Sequence, residues 1–260
     1  MDAAQLRELF DFAVEIAQSA GAGTLEHFNA GVEVETKADH SPVTIADKQA
    51  EQHLRSRIET RFPTHGILGE EFGETVGTEP ARWILDPIDG TFSFICGVPL
   101  YATLVGFEWR GEMLAGVIHL PALRETVYAA RGLGCWWNGE RAHVSDVSDI
   151  SQARLLYTGT KWMFAKGRRR ELERLLDACG NDRGWSDAYG YALVATGRAD
   201  IALDPSVSIW DVAALFPVIT EAGGTLTDWS GSATHTAPEA VATNGVLLDA
   251  VMREIRAAST

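Results

Sequence analysis

The sequence predicts an α/β protein built as one compact unit in two halves, residues 1–150 and 151–260, joined near residues 145–153. Three observations predict it. The chain opens on a long stretch of helical periodicity, its middle third is apolar and strand-like with regular turn signals, and beyond residue 154 strands and helices alternate. The hydrophobic fraction of 46% and the charged fraction of 22% are those of a globular protein rather than a disordered one. A chain of 260 residues can bury roughly three quarters of its surface, enough for one large domain or two intimate ones.

Leu6, Leu9, Phe10, Ala13, Ile16, Ala17 and Ala20 recur at helical spacing and predict an amphipathic helix over residues 3–28. Residues 29–43 break the pattern with glycine, proline and polar residues, which predicts a loop with room for a short strand. Thr44 has the chemistry of a helix N-cap and Asp47 stands three residues on, opening a second helix to residue 61. Trp83-Ile84-Leu85 is a short buried strand ending at Asp86. Residues 101–130 read as an antiparallel meander with turns at Arg110-Gly111 and Pro121. Gly132-Leu133-Gly134-Cys135 is spaced like a phosphate-binding loop, but no helical pattern follows, so a strand-turn is expected. The second half predicts a strand at 155–158, a basic helix at 168–178, a helix at 189–196 and a strand at 199–203. A helix over 210–222 stopped by Gly223-Gly224, strands at 225–229 and 241–243, and a final helix at 245–257 complete it.

Charge and cysteine content narrow the function. Lys and Arg number 22 against 36 Asp and Glu, a net charge of −14. Such a chain repels polyanions, which argues against nucleic acid and anionic membranes as partners. A phosphate group it handles must be met by a local positive source. The first twenty residues carry Asp2, Glu8, Asp11 and Glu15 and lack both a basic region and a continuous apolar run, so they do not read as a signal peptide. No window is apolar for the roughly 18 residues a membrane helix needs. Cys96, Cys135 and Cys179 have no CxxC spacing and read as reduced thiols of a cytoplasmic protein. The basic run 166–170 reads as a solvated helix face or a salt-bridge partner, and Trp109, Trp136 and Trp137 as core or interface residues.

The densest chemistry is Asp86-Pro87-Ile88-Asp89-Gly90-Thr91, where two carboxylates three residues apart leave the end of an apolar strand with a carbonyl between them. Oxygen donors alone favour a hard cation such as Mg²⁺ over zinc or copper. In isolation the pattern is also an ordinary polar turn. It is accompanied, however, by Gly69-Glu70-Glu71 upstream, by Asp47 in the first turn of its helix, and by Ile209-Trp210-Asp211 downstream. Convergence of these acids would cost on the order of 4 kcal/mol per close pair at an effective dielectric near 20, which only a bound multivalent cation offsets.

The segments GEEFG (69–73), WILDPIDGT (83–91) and IWDVAALFPVITEAGG (209–224), with VTIADKQAE (43–51), resemble the motifs of the inositol monophosphatase superfamily. The resemblance spans residues 5–258. It implies an α-β-α-β-α layered sandwich of the inositol monophosphatase and fructose-1,6-bisphosphatase type, a homodimer, and hydrolysis of a small phosphate monoester with two or three Mg²⁺ ions. By motif position, Glu70, Asp86, the Ile88 carbonyl, Asp89 and Asp211 would be metal ligands. Glu70 and Asp86 would share the first ion, and Asp86, Asp89 and Asp211 would hold the second. Thr91, hydrogen-bonded to Asp47, would orient the attacking water, so that Asp47, Glu70 and Thr91 form the catalytic set. The N–H groups of Gly90 and Thr91 would receive phosphate oxygens, and Lys37 matches a position near the metals. The rival aspartyl-phosphate chemistry needs DxDGT spacing, whereas Asp86 and Asp89 are separated by two residues.

Within the superfamily, residues 185–200 and Phe92-Ser93-Phe94-Ile95 look like the histidinol-phosphate phosphatase branch of histidine biosynthesis, with Ser186 and Phe92 departing from its pattern. Histidinol phosphate is cationic at its far end, so Asp187 and Asp204, together with Asp211, Gly90 and Thr91, are the expected substrate-side residues. The alternatives are an inositol or broad sugar-phosphate phosphatase and, outside enzymes, a metal-binding scaffold, which would gain only repulsion from keeping these acids.

Overall fold

The computed structural model describes residues 1–37, 42–185 and 187–258. Helix α1 (Ala3–Thr24) opens on a capping box between Asp2 and Gln5. It stops four residues short of the expected 28: the chain turns after Thr24, and Asn29 and Gly31 take left-handed conformations. Strands β1 (Val34–Thr36) and β2 (Pro42–Thr44) pair antiparallel within the segment expected to be a loop. Helix α2 (Ile45–Arg61) begins on the Thr44/Asp47 capping box, as the sequence predicts. Then follow β3 (Gly66–Gly69), β4 (Gly73–Thr75), β5 (Ala81–Asp89), the short helix α3 (Thr91–Ile95), β6 (Ala102–Trp109), β7 (Glu112–Leu120), β8 (Glu125–Ala130), β9 (Gly134–Trp137) and β10 (Glu140–Ala142). The meander and both of its turns are as expected, and Gly134 opens a strand rather than a helix.

In the second half come β11 (Arg154–Tyr157), α4 (Thr160–Ala165), α5 (Arg169–Ala178), β12 (Asn181–Arg183), α6 (Ala188–Ala195), β13 (Ile201–Asp204), α7 (Ile209–Val212), α8 (Leu215–Glu221), β14 (Thr225–Thr227), β15 (Ala240–Thr243) and α9 (Leu248–Ala258). The expected single helix over 210–222 is broken at Ala213-Ala214. Pro217 has no N–H to continue an α7 ladder, but it is tolerated in the first turn of a new helix.

Among the described residues the strands form an eight-stranded sheet, ordered β10-β9-β8-β7-β6-β5-β3-β4, and a five-stranded sheet, ordered β12-β11-β13-β15-β14. The eight-stranded sheet is antiparallel except for β3 beside β5. Side-chain alternation assigns its two faces. Val105, Phe107, Ala115 and Val117 pack with Leu9, Phe10, Ile16, Leu54 and Ile58 of α1 and α2. Their neighbours Leu104, Ile118 and Val127 pack on the other side with α6, α8 and Leu156, Ala202 and Ala242 of the second sheet. The outer face of the second sheet is covered by α5 and α9 through Leu172, Leu175, Val251 and Ile255. The order of layers is therefore α-β-α-β-α, and the C-terminal ends of β5, β11 and β13 meet α3, α6 and α7 in its middle.

Trp83 is fully buried, with its ring 4.8 Å from Phe107 and 5.6 Å from Phe12, and its Nε1 donates to His65 Nδ1 at 3.1 Å. Trp83→Ala removes that packing and orphans the histidine nitrogen. The expected loss is about 3–5 kcal/mol in the unfolding free energy from a urea titration, with little change in slope.

Candidate active site

Strand β5 carries the centre of the site. In a regular strand, residues three apart face opposite sides. Here Asp86 pairs with Leu104 and Asp89 with Ala102, so three steps on β5 match two on β6, and the bulge turns both carboxylates to one side. The carbonyl of Pro87 accepts from Thr103 Oγ1 at 2.9 Å and holds the bulge against β6. Gly90 follows at φ +80°, a left-handed conformation at which a side chain would also run into the Asp187 carboxylate, 2.9 Å from the Cβ position. From there α3 starts with Thr91, whose hydroxyl lies 3.1 Å from the Ile88 carbonyl and 3.3 Å from Asp47 Oδ1.

Two more acids are delivered by the same local device. Asp47 and Asp211 each occupy the third position of a helix and accept from the N-cap backbone: Asp47 from Thr44 N at 2.8 Å, Asp211 from Ser208 N at 2.7 Å. One oxygen of each is thereby fixed. Asp89 is tied similarly by Ala188 N at 2.6 Å, at the start of α6. Asp86, Asp89 and Asp211 present ligand oxygens within 4.8 Å of one another. Glu70 leaves β3 beside β5 and accepts from Lys37 Nζ at 2.7 Å, and the same ammonium reaches Glu71 at 2.6 Å. Glu70, Asp86, Asp89 and Asp211 line a cavity of about 540 Å³. Asp204 also lines it, buried at the end of β13 and held by the Tyr191 hydroxyl at 2.9 Å.

Burial together with like charge sets the electrostatics. Burial, then Glu70, Asp89 and Asp211, push the Asp86 carboxyl well above its ordinary range, and burial with Asp187 and Asp211 does the same to Asp89. Asp211 is pushed up to about 7, chiefly by burial against the opposing Ser208 hydrogen bond. Glu71 also rises to about 7 by burial, despite Lys37. Burial raises Asp204 and Asp47 too. Asp86 Oδ1 is buried without a hydrogen-bond partner. A sequestered oxygen with no donor, in a pocket whose charged donors are all carboxylates, fits a hard divalent cation and would be costly without one.

The structure thus brings together the residues singled out in the sequence: Asp47, Glu70, Asp86, Ile88, Asp89, Gly90, Thr91, Asp187, Asp204 and Asp211. Ser186 lies outside the described residues. Sequence reasoning missed Thr158 and Trp162, which line the cavity beside Phe92, with Thr158 Oγ1 buried and unpartnered and Phe92 largely exposed. The position of Thr158 just past a β-strand was the available signal. The basic run behaves as a salt-bridge face: Arg168 pairs with Glu171 at 3.1 Å and Glu239 at 2.6 Å. No helix among the described residues is long and apolar enough to cross a membrane.

Carboxylate oxygens clustered at strand ends in the middle of a layered sandwich are the donor set of a divalent-cation site, as a metal-dependent hydrolase requires. The chain matches the inositol monophosphatase family over residues 5–260 and belongs to it. It is similar to the histidinol-phosphatase of Chlorobaculum parvum, 42% identical over 84% of this chain and 85% of that one. It is also similar to the histidinol-phosphatase of Mycobacterium tuberculosis, 39% identical over 94% and 96%. Among solved structures, the extragenic suppressor protein suhB of Bartonella henselae superposes with a TM-score of 0.90 at 27% identity, covering 96% of this chain and 98% of that one.

A raised carboxyl pKa means that the folded protein without cation binds more protons than the unfolded chain. The contribution is fully present below the unfolded value, near 4, and is lost as pH rises through the folded value, about 7 for Asp211. Thermal unfolding in EDTA and in MgCl₂ should therefore give midpoints that converge near pH 5 and separate progressively towards pH 7.5. A separation independent of pH would contradict this linkage.

Proposed function

We propose that this chain is a Mg²⁺-dependent histidinol-phosphate phosphatase, hydrolysing L-histidinol phosphate to L-histidinol and phosphate in histidine biosynthesis. The observation that carries the reading is the presence of two further cavity-lining acids, Asp187 and Asp204, beside the Asp86/Asp89/Asp211 cluster. A substrate with a phosphate at one end and an ammonium and imidazole at the other suits such a cavity. The names of the two relatives above support the same substrate.

In this reading Glu70, Asp86, the Ile88 carbonyl, Asp89 and Asp211 hold two or three Mg²⁺ ions. Bound there, the ions supply a water of lowered pKa and stabilise the charge that develops on the leaving oxygen. The rest is done by the chain itself. The Thr91 hydroxyl, held between Asp47 and the Ile88 carbonyl, orients the attacking water. The N–H groups of Gly90 and Thr91 receive phosphate oxygens and align the phosphorus for attack. The water oxygen bonds to phosphorus as the P–O bond to the alcohol breaks, and a proton given up by that water ends on the leaving oxygen, which departs as the hydroxyl of histidinol and leaves inorganic phosphate. Asp187 and Asp204 attract the cationic end.

A broader inositol- or sugar-phosphate phosphatase is the second reading. It is favoured by the largely exposed Phe92 on the cavity wall, which offers no charge to a particular substrate. We further place the enzyme in the cytoplasm as a homodimer, its N-terminal half (1–150) carrying most metal ligands and its C-terminal half (151–260) Asp211 and the substrate side. Buried Cys135 fits a reducing compartment: burial pushes its thiol up to about 12, which leaves it unreactive.

Phosphate release from histidinol, inositol and fructose phosphates, with MgCl₂ and with EDTA, tests the reading: the rate should be highest on histidinol phosphate and vanish in EDTA. Asp187→Asn should raise KM for histidinol phosphate while sparing glycerol 2-phosphate, and equal losses on both esters would refute its role. Thr91→Ala should lower kcat by about 10²-fold, as expected when the reacting water is no longer held in place.

A further inference from the structure

The backbone that carries Glu70 and Glu71 is a three-residue tip between β3 and β4, and its polar groups are not satisfied within the hairpin alone. Glu70 N donates across to the Leu85 carbonyl at 3.2 Å. The next two N–H groups point instead at one side chain: Glu71 N donates to Glu51 Oε2 at 2.7 Å, and Phe72 N to Glu51 Oε1 at 3.2 Å. Glu51 lies on α2 and is fully buried. Its charge is met by Arg55, one turn further on, whose Nε donates to Oε1 at 2.7 Å. The same guanidinium bonds the Gly73 carbonyl and, at 3.2 Å, Thr75 Oγ1, so it ties down the returning strand as well.

The seat is built to fit. A Cβ on Gly69 would lie 2.0 Å from Glu51 Oε1, so the carboxylate occupies the space that any side chain at position 69 would need. A buried carboxylate is tolerated only where its hydrogen bonds and charge are satisfied, and here two backbone N–H groups and a guanidinium do so. Glu51 also stands one helical turn after Asp47, which reaches Thr91 from the start of the same helix. One helix therefore fixes both the Thr91 side and the Glu70 side of the site.

We infer that Glu51, braced by Arg55, is a positioning residue: it sets the backbone of residues 70–72, and through it the place of Glu70 among the cation-binding acids. The inference rests on the metal-site reading above. It adds a residue that touches neither cation nor substrate yet governs cation affinity. Support from outside the immediate ligands is typically worth 10–100-fold in metal affinity.

The test compares Glu51→Gln with Leu54→Ala, which removes buried packing from the same helix but none of the hydrogen bonds to residues 71–75. MgCl₂ is titrated onto each EDTA-treated protein, and the rise in unfolding midpoint is followed as a function of cation concentration. Glu51→Gln is expected to shift the half-saturating Mg²⁺ concentration upward by about 10–100-fold. The Mg²⁺ dependence of phosphate release should move by the same factor, with kcat recovering at saturating Mg²⁺. Leu54→Ala should lower the unfolding midpoint and leave the half-saturating concentration unchanged. If Glu51→Gln behaves like Leu54→Ala, its role is structural and the inference falls. Should Glu51→Gln fail to fold, Arg55→Lys, which keeps the charge but cannot reproduce the Nε, Gly73 and Thr75 contacts together, carries the same criterion. A wild-type protein that gains no stability from Mg²⁺ would overturn the metal-site reading itself. Wild-type binding with unaltered binding in the variants overturns only the positioning role.

Discussion

Carboxylates that share a buried pocket repel one another, and the architecture around the cavity is organised to hold them there regardless. Asp47, Asp89 and Asp211 each surrender one oxygen to a backbone N–H and keep the other for the site. Asp47 and Asp211 do so at the third residue of helices α2 and α7, and Asp89 does so at the entry to α6. The anchoring donors lie at helix starts, where the backbone dipoles favour negative charge. The fold thus opposes part of the repulsion with fixed dipoles, and the buried Asp86 Oδ1, which has no hydrogen-bond partner, is left where a cation would meet it. The need to gather such donors explains why strand ends and helix starts meet at the middle of the sandwich.

The same constraint gives the net charge of −14 a location. A good part of that excess is gathered in one cavity, so the acidity that discourages polyanions also equips the protein for a phosphate ester. The two statements agree once the cation is counted as part of the site. Lys37, bridging Glu70 and Glu71, shows the same demand for positive charge at the cavity edge.

Much of this was legible in the sequence, because the decisive signals are local. The capping box at Thr44 and Asp47, the turn at Arg110-Gly111 and the helix stop at Gly223-Gly224 depend on neighbouring residues, and the sites they mark follow. The rest depends on contacts distant in sequence. Strand β12, the polar tripeptide Asn181–Arg183, is a strand only because β11 offers it an edge. The break in the helix after Val212 shows in sequence as Pro217, yet proline in a first turn does not announce which turn is first. Glu51 could not be distinguished from any other acid on a solvated helix face until the hairpin was seen to close over it. The gathering of Asp86 and Asp89 was foreseen from their spacing, but the bulge that achieves it is a property of the pairing with β6.

That bulge carries a consequence for how the chain can vary. Strand side chains obey an odd–even rule, and the extra residue in β5 changes the parity of everything after it. Losing one residue between Asp86 and Asp89 would remove the bulge and restore a regular strand, and gaining one would widen it, so either change would alter how the two acids, and Gly90 and Thr91 after them, are presented to the cavity. Substitutions in this segment can be graded in their effect, whereas insertions and deletions cannot. The length of the segment is therefore under a stricter rule than its composition, a discrete constraint at the centre of the site.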